Sequence, residues 1–208
     1  MKFLLLLLIA ISCACQNSKE YQWQSLFDGQ SLEGWEALPG GTWLVKEGCI
    51  AGIQQKSERR HGMLISKKEY SDFEIKLKFK ALQGNSGFYF RVKKVKHHVS
   101  VKGFQAEIDA NSKSVGGLYE TLGRGWVVKL TPEEVQKFYK PKEWNEMTIR
   151  AVGRHVLVHV NGTKTVELKN DPSSVKGFFG LQLHGGQDMN VLYKDIYIKD
   201  LSAKEHQD

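Results

Sequence analysis

Alternation of apolar and polar residues runs along nearly the whole chain and leaves little choice of fold. Phe73-Glu74-Ile75-Lys76-Leu77-Lys78-Phe79 and Met147-Thr148-Ile149-Arg150-Ala151-Val152 repeat with period two, the signature of strands buried on one face. Residues 156–160 form a run rich in β-branched side chains, and Asn161-Gly162 follows directly. That dipeptide suits a two-residue hairpin turn, so Thr163–Leu168 is expected to be the return strand. Residues 178–184 and 190–201 read as two closing strands with Gly185-Gly186 between them. Only residues 131–139 carry helix signals. Thr131 is a candidate N-cap, Pro132 takes the first helical position, and Glu134 completes a capping box. Many short strands, Gly-rich turns and one short helix specify an all-β antiparallel sandwich or barrel. The first and last strands are expected to pair and cover an edge.

The ends of the chain stand apart from this pattern. Lys2 precedes an unbroken apolar run over residues 3–11, too short to span a bilayer as a helix but fitting a secretory signal. Ser12-Cys13-Ala14-Cys15 follows and resembles a bacterial lipoprotein signal, with Cys15 the expected lipidated residue and Cys13 the alternative. Residues 1–15 are thus expected to be a signal peptide, 16–24 a polar tether, 25–201 one domain and 202–208 a tail. The expected destination is the bacterial cell envelope, with a lipid anchor in the membrane on the periplasmic side or the cell surface. Within the domain only Cys49 remains, so no internal disulfide is available and burial must hold the fold. Cys49 reads as a small core residue. The net charge of +7 comes largely from lysines on the polar face of alternating strands. No recognition helix or RNA-binding aromatic motif accompanies it, so nucleic acid is not the expected partner.

Polar residues at alternate positions of one strand mark a site. In Gly103-Phe104-Gln105-Ala106-Glu107-Ile108-Asp109, the polar residues Gln105, Glu107 and Asp109 share one face, and Phe104, Ala106 and Ile108 share the other. Two carboxylates spaced about 6–7 Å along a strand suit acid–base chemistry or a hard divalent cation. The preceding strand-like run, Asn85-Ser86-Gly87-Phe88-Tyr89-Phe90-Arg91, ends in an arginine that is expected to pair with one of these carboxylates or to bind sugar hydroxyls. Gln182 and His184 share a face of a later strand. Tyr119 and the loop Gly123-Arg124-Gly125-Trp126 offer rings and a cation suited to a sugar. His97 and His98, read as strand neighbours, face opposite ways and make a poor metal site. No phosphate loop, dinucleotide fingerprint, zinc motif or nucleophile elbow occurs. Glu107-Ile108-Asp109 looks like the start of the laminarinase-type Glu-x-Asp-x-x-Glu motif. Ala110, Asn111 and Ser112 follow, so the second glutamate of a retaining pair, with carboxyls about 5–5.5 Å apart, is missing.

The order of motifs resembles the 3-keto-disaccharide hydrolase family. The opening Leu26-Phe27-Asp28-Gly29-Gln30-Ser31-Leu32-Glu33-Gly34-Trp35 is similar to that family's first motif. Tyr70-Ser71-Asp72-Phe73-Glu74, residues 85–91, Gly117-Leu118-Tyr119, Glu143-Trp144-Asn145 and Gly180-Leu181-Gln182-Leu183-His184 follow in the family's order. The resemblance implies a concanavalin A-like jelly roll of two antiparallel sheets and an exported enzyme cleaving glycosides oxidised at C3, with a lectin-like carbohydrate binder as the alternative. Arg91, Glu107, Gln182 and His184 fall at the family's polar motif positions, and for such a reaction Glu107 or Asp109 is the expected base and His184 the expected proton donor. Arg91 or a bound divalent cation would stabilise the oxyanion. Gln105, Tyr119, Arg124, Trp126, Gln182 and Lys194 would contact the sugar. Two departures stand out. Gln105 and Glu107 occupy the reverse of a common Glu-then-Gln order, and Lys194 stands where arginine is usual, which does not offer the same forked contact.

Overall fold

The computed structural model describes residues 21–202. The expected signal peptide, Cys13, Cys15 and the tail beyond residue 202 lie outside the described residues. In chain order the elements begin with β1 (Gln24–Ser25), β2 (Trp35–Leu38), β3 (Thr42–Lys46), β4 (Cys49–Gln54), β5 (Gly62–Tyr70) and β6 (Phe73–Gln83). Then come β7 (Asn85–Lys94), β8 (Val101–Asp109), β9 (Leu118–Thr121), β10 (Gly125–Val128) and α1 (Pro132–Val135). The chain closes with β11 (Asn145–Val152), β12 (His155–Val160), β13 (Thr163–Leu168), β14 (Gly177–Leu183) and β15 (Met189–Asp200). A back sheet runs β13-β12-β11-β6-β15-β4-β3, with β1 added against β15, and a front sheet runs β10-β9-β8-β7-β14-β5-β2. Every pairing is antiparallel, which is the two-sheet jelly-roll sandwich the sequence leads one to expect.

The alternation decides which faces meet. Phe73, Ile75, Leu77 and Phe79 of β6 point inward and are buried, as are Met147, Ile149 and Ala151 of β11. Phe88, Phe90, Phe104, Ala106 and Ile108 cover them from the front sheet, and one core cluster contains both sets. Each fully buried large apolar side chain contributes roughly 1.5–3 kcal/mol, enough to hold a domain without disulfides. Cys49 is a buried free thiol at the margin of this core. The hairpin β12–β13 turns at Asn161 and Gly162, with φ of 49° and 80° and Val160 opposite Thr163, as the dipeptide requires. Thr131 caps α1 with both hydrogen bonds of a capping box, but the helix lasts four residues and not the nine the signals suggest. Gln24 and Ser25 pair with Ile198 and Tyr197, so the first and last strands do meet. The folded part therefore starts inside the expected tether, and the ammonium of Lys76 lies 4.4 Å from the ring of Trp23.

Arg91 belongs to this framework and not to a site beside Glu107. A register shift interrupts β7 between Phe90 and Lys93, and Arg91 takes a φ of 52°, which breaks the alternation there. Its side chain, 2 % exposed, turns away from the carboxylates. Nε and Nη2 donate to the Ser71 carbonyl at 2.9 and 2.7 Å, and Nη1 donates to the Gly153 carbonyl at 2.7 Å. Nη2 also reaches Asp72 Oδ1 at 3.2 Å. One guanidinium thus clips a front strand to the β5–β6 and β11–β12 turns. Register adds a second reason, because Glu107 stands opposite Gly87, four residues and about 13 Å along the strand from Arg91.

Replacing Arg91 with Met removes these bonds and with them the clip between the front strand and the two turns. The substitution is expected to lower unfolding free energy by about 2–4 kcal/mol in urea denaturation. Unchanged stability with lost activity would return Arg91 to the site.

Candidate functional site

The outer face of the front sheet is concave and polar at its centre, because strand register stacks polar residues into two rows. Tyr119, Gln105, Tyr89 and Gly180 form one row, and Glu107 faces Gly87 in the next. The same register brings Gln182 level with Gly87. A Cβ on Gly87 would meet Gln105 Cγ at 2.5 Å, so the bare backbone there gives the Gln105 amide its space. Gln105 Nε2 donates to Glu107 Oε2 at 2.9 Å and lies 3.3 Å from Gln182 Oε1. Its Oε1 accepts from the Tyr89 hydroxyl at 2.6 Å, and Gln182 Nε2 donates to that hydroxyl at 3.0 Å. The Asn85 amide donates to Glu107 Oε1. The result is a carboxyl group, 5 % exposed, held by two neutral amides and by no cation.

That environment sets its protonation. Burial is the largest cause and pushes the Glu107 pKa up to about 8; the Asn85 hydrogen bond works against it, and the charge of Asp109 adds to it. Near neutrality Glu107 therefore holds its proton and can give it away. Asp109 stands opposite Asn85, and its Oδ1 accepts the Asn111 backbone N–H at 2.8 Å.

Histidines line the other wall of the same cleft. The His184 Nδ1 lies 2.8 Å from the Gly185 carbonyl. A carbonyl only accepts, so Nδ1 carries the hydrogen and a neutral ring presents Nε2 as a lone pair. His61 is the complement. Its Nδ1 accepts the Gly185 backbone N–H at 3.2 Å, leaving the hydrogen on Nε2. Burial, then the neighbouring His184, His98 and His97, lower the His61 pKa to about 4, so this imidazole is a neutral donor. The two rings lie 4.3 Å apart, and His98 lies 6.1 Å from His61. His97 and His98 are in the β7–β8 turn and not on a strand. Their rings consequently pack 4.1 Å apart and do not face opposite ways.

The cleft encloses about 630 Å³ and brings together Gln105, Glu107, Asp109, Tyr119, Trp126, Gln182 and His184 of the expected set. Arg91, Arg124 and Lys194 are outside it. Arg124 is spent on Glu120 and on a two-pronged contact to Asp171 at 2.9 and 3.1 Å. Lys194 lies in the back sheet with its ammonium 4.4 Å from the Trp144 ring. Among the described residues no group of three or more His, Cys, Asp or Glu is arranged to hold a divalent cation. The sequence reading missed His61, Tyr89, Asn85 and Gln187. Asn85 and Tyr89 belong to the polar–aromatic run over residues 85–91 and are legible there, whereas His61 sits in a loop with no local signal.

The model of the 3-keto-alpha-glucoside-1,2-lyase-like domain matches residues 22–199. No curated protein matches the sequence significantly. A solved "putative glycosyl hydrolase" of Parabacteroides distasonis is 21 % identical, with a TM-score of 0.64 over 86 % of this chain and 94 % of that one. The carbohydrate binding module CBM66 of Bacillus subtilis is 17 % identical, with a TM-score of 0.59 over 80 % and 95 %. The exoplasmic/lumenal domain of VIP36, solved with Ca2+ and Man3GlcNAc, is 10 % identical, with a TM-score of 0.56 over 87 % and 89 %. These likenesses establish a fold shared by hydrolases and sugar binders.

The raised pKa of Glu107 links stability to pH. Below the unfolded value of 4.5 both states are protonated and the contribution is complete. Between there and about 8 the unfolded chain has released the proton and the folded chain keeps it, so stability falls as pH rises, by up to about 1.4 kcal/mol per pH unit. Above about 8 the loss levels off. Glu107→Gln cannot titrate, so its unfolding free energy relative to the wild type is expected to climb from pH 5 to 8. A pH-independent difference would contradict the buried, protonated carboxyl.

Proposed function

The chain belongs to the 3-keto-alpha-glucoside-1,2-lyase-like family, and from that premise we propose that it cleaves the glycosidic bond of 3-keto-glycosides by elimination across C1 and C2. The observation that carries this reading is a buried carboxylic acid, Glu107, in one cleft with a histidine, His184, whose free nitrogen is an acceptor. A ketone at C3 acidifies the C2 hydrogen. His184 Nε2 takes that proton, and negative charge moves to the C3 oxygen. His61, a neutral donor at Nε2, stabilises the oxyanion as preorganised donors do. Glu107 protonates the C1 oxygen as the C1–O bond breaks and the C1=C2 bond forms. Water adding across the double bond completes a net hydrolysis. We thus assign acid and base the reverse of the roles expected from sequence, because the His184 hydrogen bond puts its hydrogen on Nδ1 and leaves Nε2 an acceptor, while burial keeps the proton on Glu107. Gln105, Gln182, Tyr119 and Trp126 hold the sugar. We also place the protein at the cell envelope, lipid-anchored through its N-terminal signal.

A binding-only role is favoured by one observation. Trp126 is 37 % exposed and meets Tyr119 edge-on at 5.3 Å, a ring surface suited to a sugar face. A binder would retain a 3-keto-disaccharide and release nothing.

Exchange and cleavage separate the roles. In heavy water the protein is expected to exchange the C2 hydrogen of a 3-keto-disaccharide and to cleave it. Glu107→Gln keeps exchange but loses cleavage by about 100-fold or more, while His184→Gln loses both. Loss of exchange in Glu107→Gln with exchange intact in His184→Gln would make the glutamate the base. No product from the wild type would favour the binder.

A further inference from the structure

The cleft has a second arm. A cavity of about 720 Å³ opens beyond it and shares Asn85, Glu107, Asp109, Lys113 and Trp126 with the first. Glu107 therefore sits at a junction, and whatever leaves from the bond it protonates has a separate space to occupy. The two arms differ in chemistry. The histidine arm is a hydrogen-bonding surface of imidazoles, amides and a phenol, as a sugar ring requires. The second arm adds Leu130, Pro132 and Lys129. The two further hydroxyls there are both engaged: Ser114 donates to the Leu130 carbonyl at 3.0 Å, and Thr131 accepts the Glu134 backbone N–H at 3.3 Å. Its volume falls within the range of small-molecule sites, about 300–1,000 Å³.

Charge narrows the occupant. Lys113 and Lys129 are exposed, and among the described residues neither is in an ion pair. The Lys129 ammonium lies 5.8 Å from the ring of Trp126, which lines both arms. Trp126, Leu130 and Pro132 supply apolar surface for a flat ring, the Lys129 ammonium lies beside Trp126, and two ammonium groups against the single carboxylate of Asp109 favour an anion in this arm. We propose that the second arm is an aglycone site for a flat, apolar leaving group bearing an anionic substituent, such as a carboxylated phenol. The proposal rests on the elimination reading of the same cleft. It assigns Lys113 and Lys129 to substrate selection and gives the substrate class as acidic aryl glycosides oxidised at C3.

The test compares kcat/KM for the 4-carboxyphenyl and 4-carbamoylphenyl 3-keto-glucosides, both anomers, with the methyl 3-keto-glucoside as reference. The carbamoyl group makes the better leaving phenol, so intrinsic reactivity opposes a carboxylate preference. A preference of about tenfold for the carboxylate is expected, weakening in about 0.5 M salt and lost in Lys113→Gln/Lys129→Gln. Turnover of the methyl glycoside is expected to be unchanged in Lys129→Gln, which lines the second arm and not the histidine arm, and Lys→Arg at both positions restores the preference. Equal rates for the two aryl glycosides, or a preference that survives the double variant, overturn the proposal. If no glycoside is cleaved, the elimination reading fails and calorimetry with 4-hydroxybenzoate alone decides the arm. Binding that weakens about tenfold in the double variant supports it, and absent or unchanged binding overturns it.

Discussion

A carboxyl group kept out of water without a cation to neutralise it is the constraint around which the rest of the site is arranged. An ionised carboxylate at the Glu107 position would pay the full cost of desolvation, so the group is held neutral and hydrogen-bonded. Two features make this tolerable. Gly87 leaves room for the Gln105 amide, and Asn85 supplies a second amide from the neighbouring strand. The sandwich contributes the rigidity, since Phe104, Ala106 and Ile108 on the opposite face of the same strand are locked in the core. The acid is therefore as fixed in position as the core beneath it.

The histidine wall follows a similar logic. One residue, Gly185, uses its N–H to fix the tautomer of His61 and its carbonyl to fix that of His184. Two neighbouring imidazoles are thereby given opposite characters, one a donor and one an acceptor, by a single peptide segment. Burial and the neighbouring imidazoles keep His61 neutral. Acid, base and oxyanion donor are then distinguished by environment and not by residue type.

Much of the fold was legible in the chain. Period-two patterning assigned the faces of β6, β8 and β11, Asn161-Gly162 located a hairpin, and Thr131 with Glu134 located the helix start. What escaped depended on breaks in periodicity. Arg91 lies at a register shift with positive φ, so extrapolating from Tyr89 assigned its side chain to the wrong place. Lys194 borders a similar shift in β15 and belongs to the other sheet altogether. The site was legible where it ran along one strand, at Gln105, Glu107 and Asp109. It was hidden where loops distant in sequence converge, as at His61 and His184, because nothing local encodes the pairing of residues 123 positions apart. Tautomers were equally hidden, since they depend on the backbone groups a ring happens to meet.

The acid role of Glu107 stands or falls with its protonation state. With glutamate labelled by 13C at the side-chain carboxyl, its resonance, assigned by comparison with Glu107→Gln, can be followed through pH in the substrate-free protein. A midpoint at about 8 is expected, with the carboxyl still largely protonated at neutrality. A midpoint near the ordinary 4.5 would mean an ionised carboxylate in the cleft, and the acid role would fall with it.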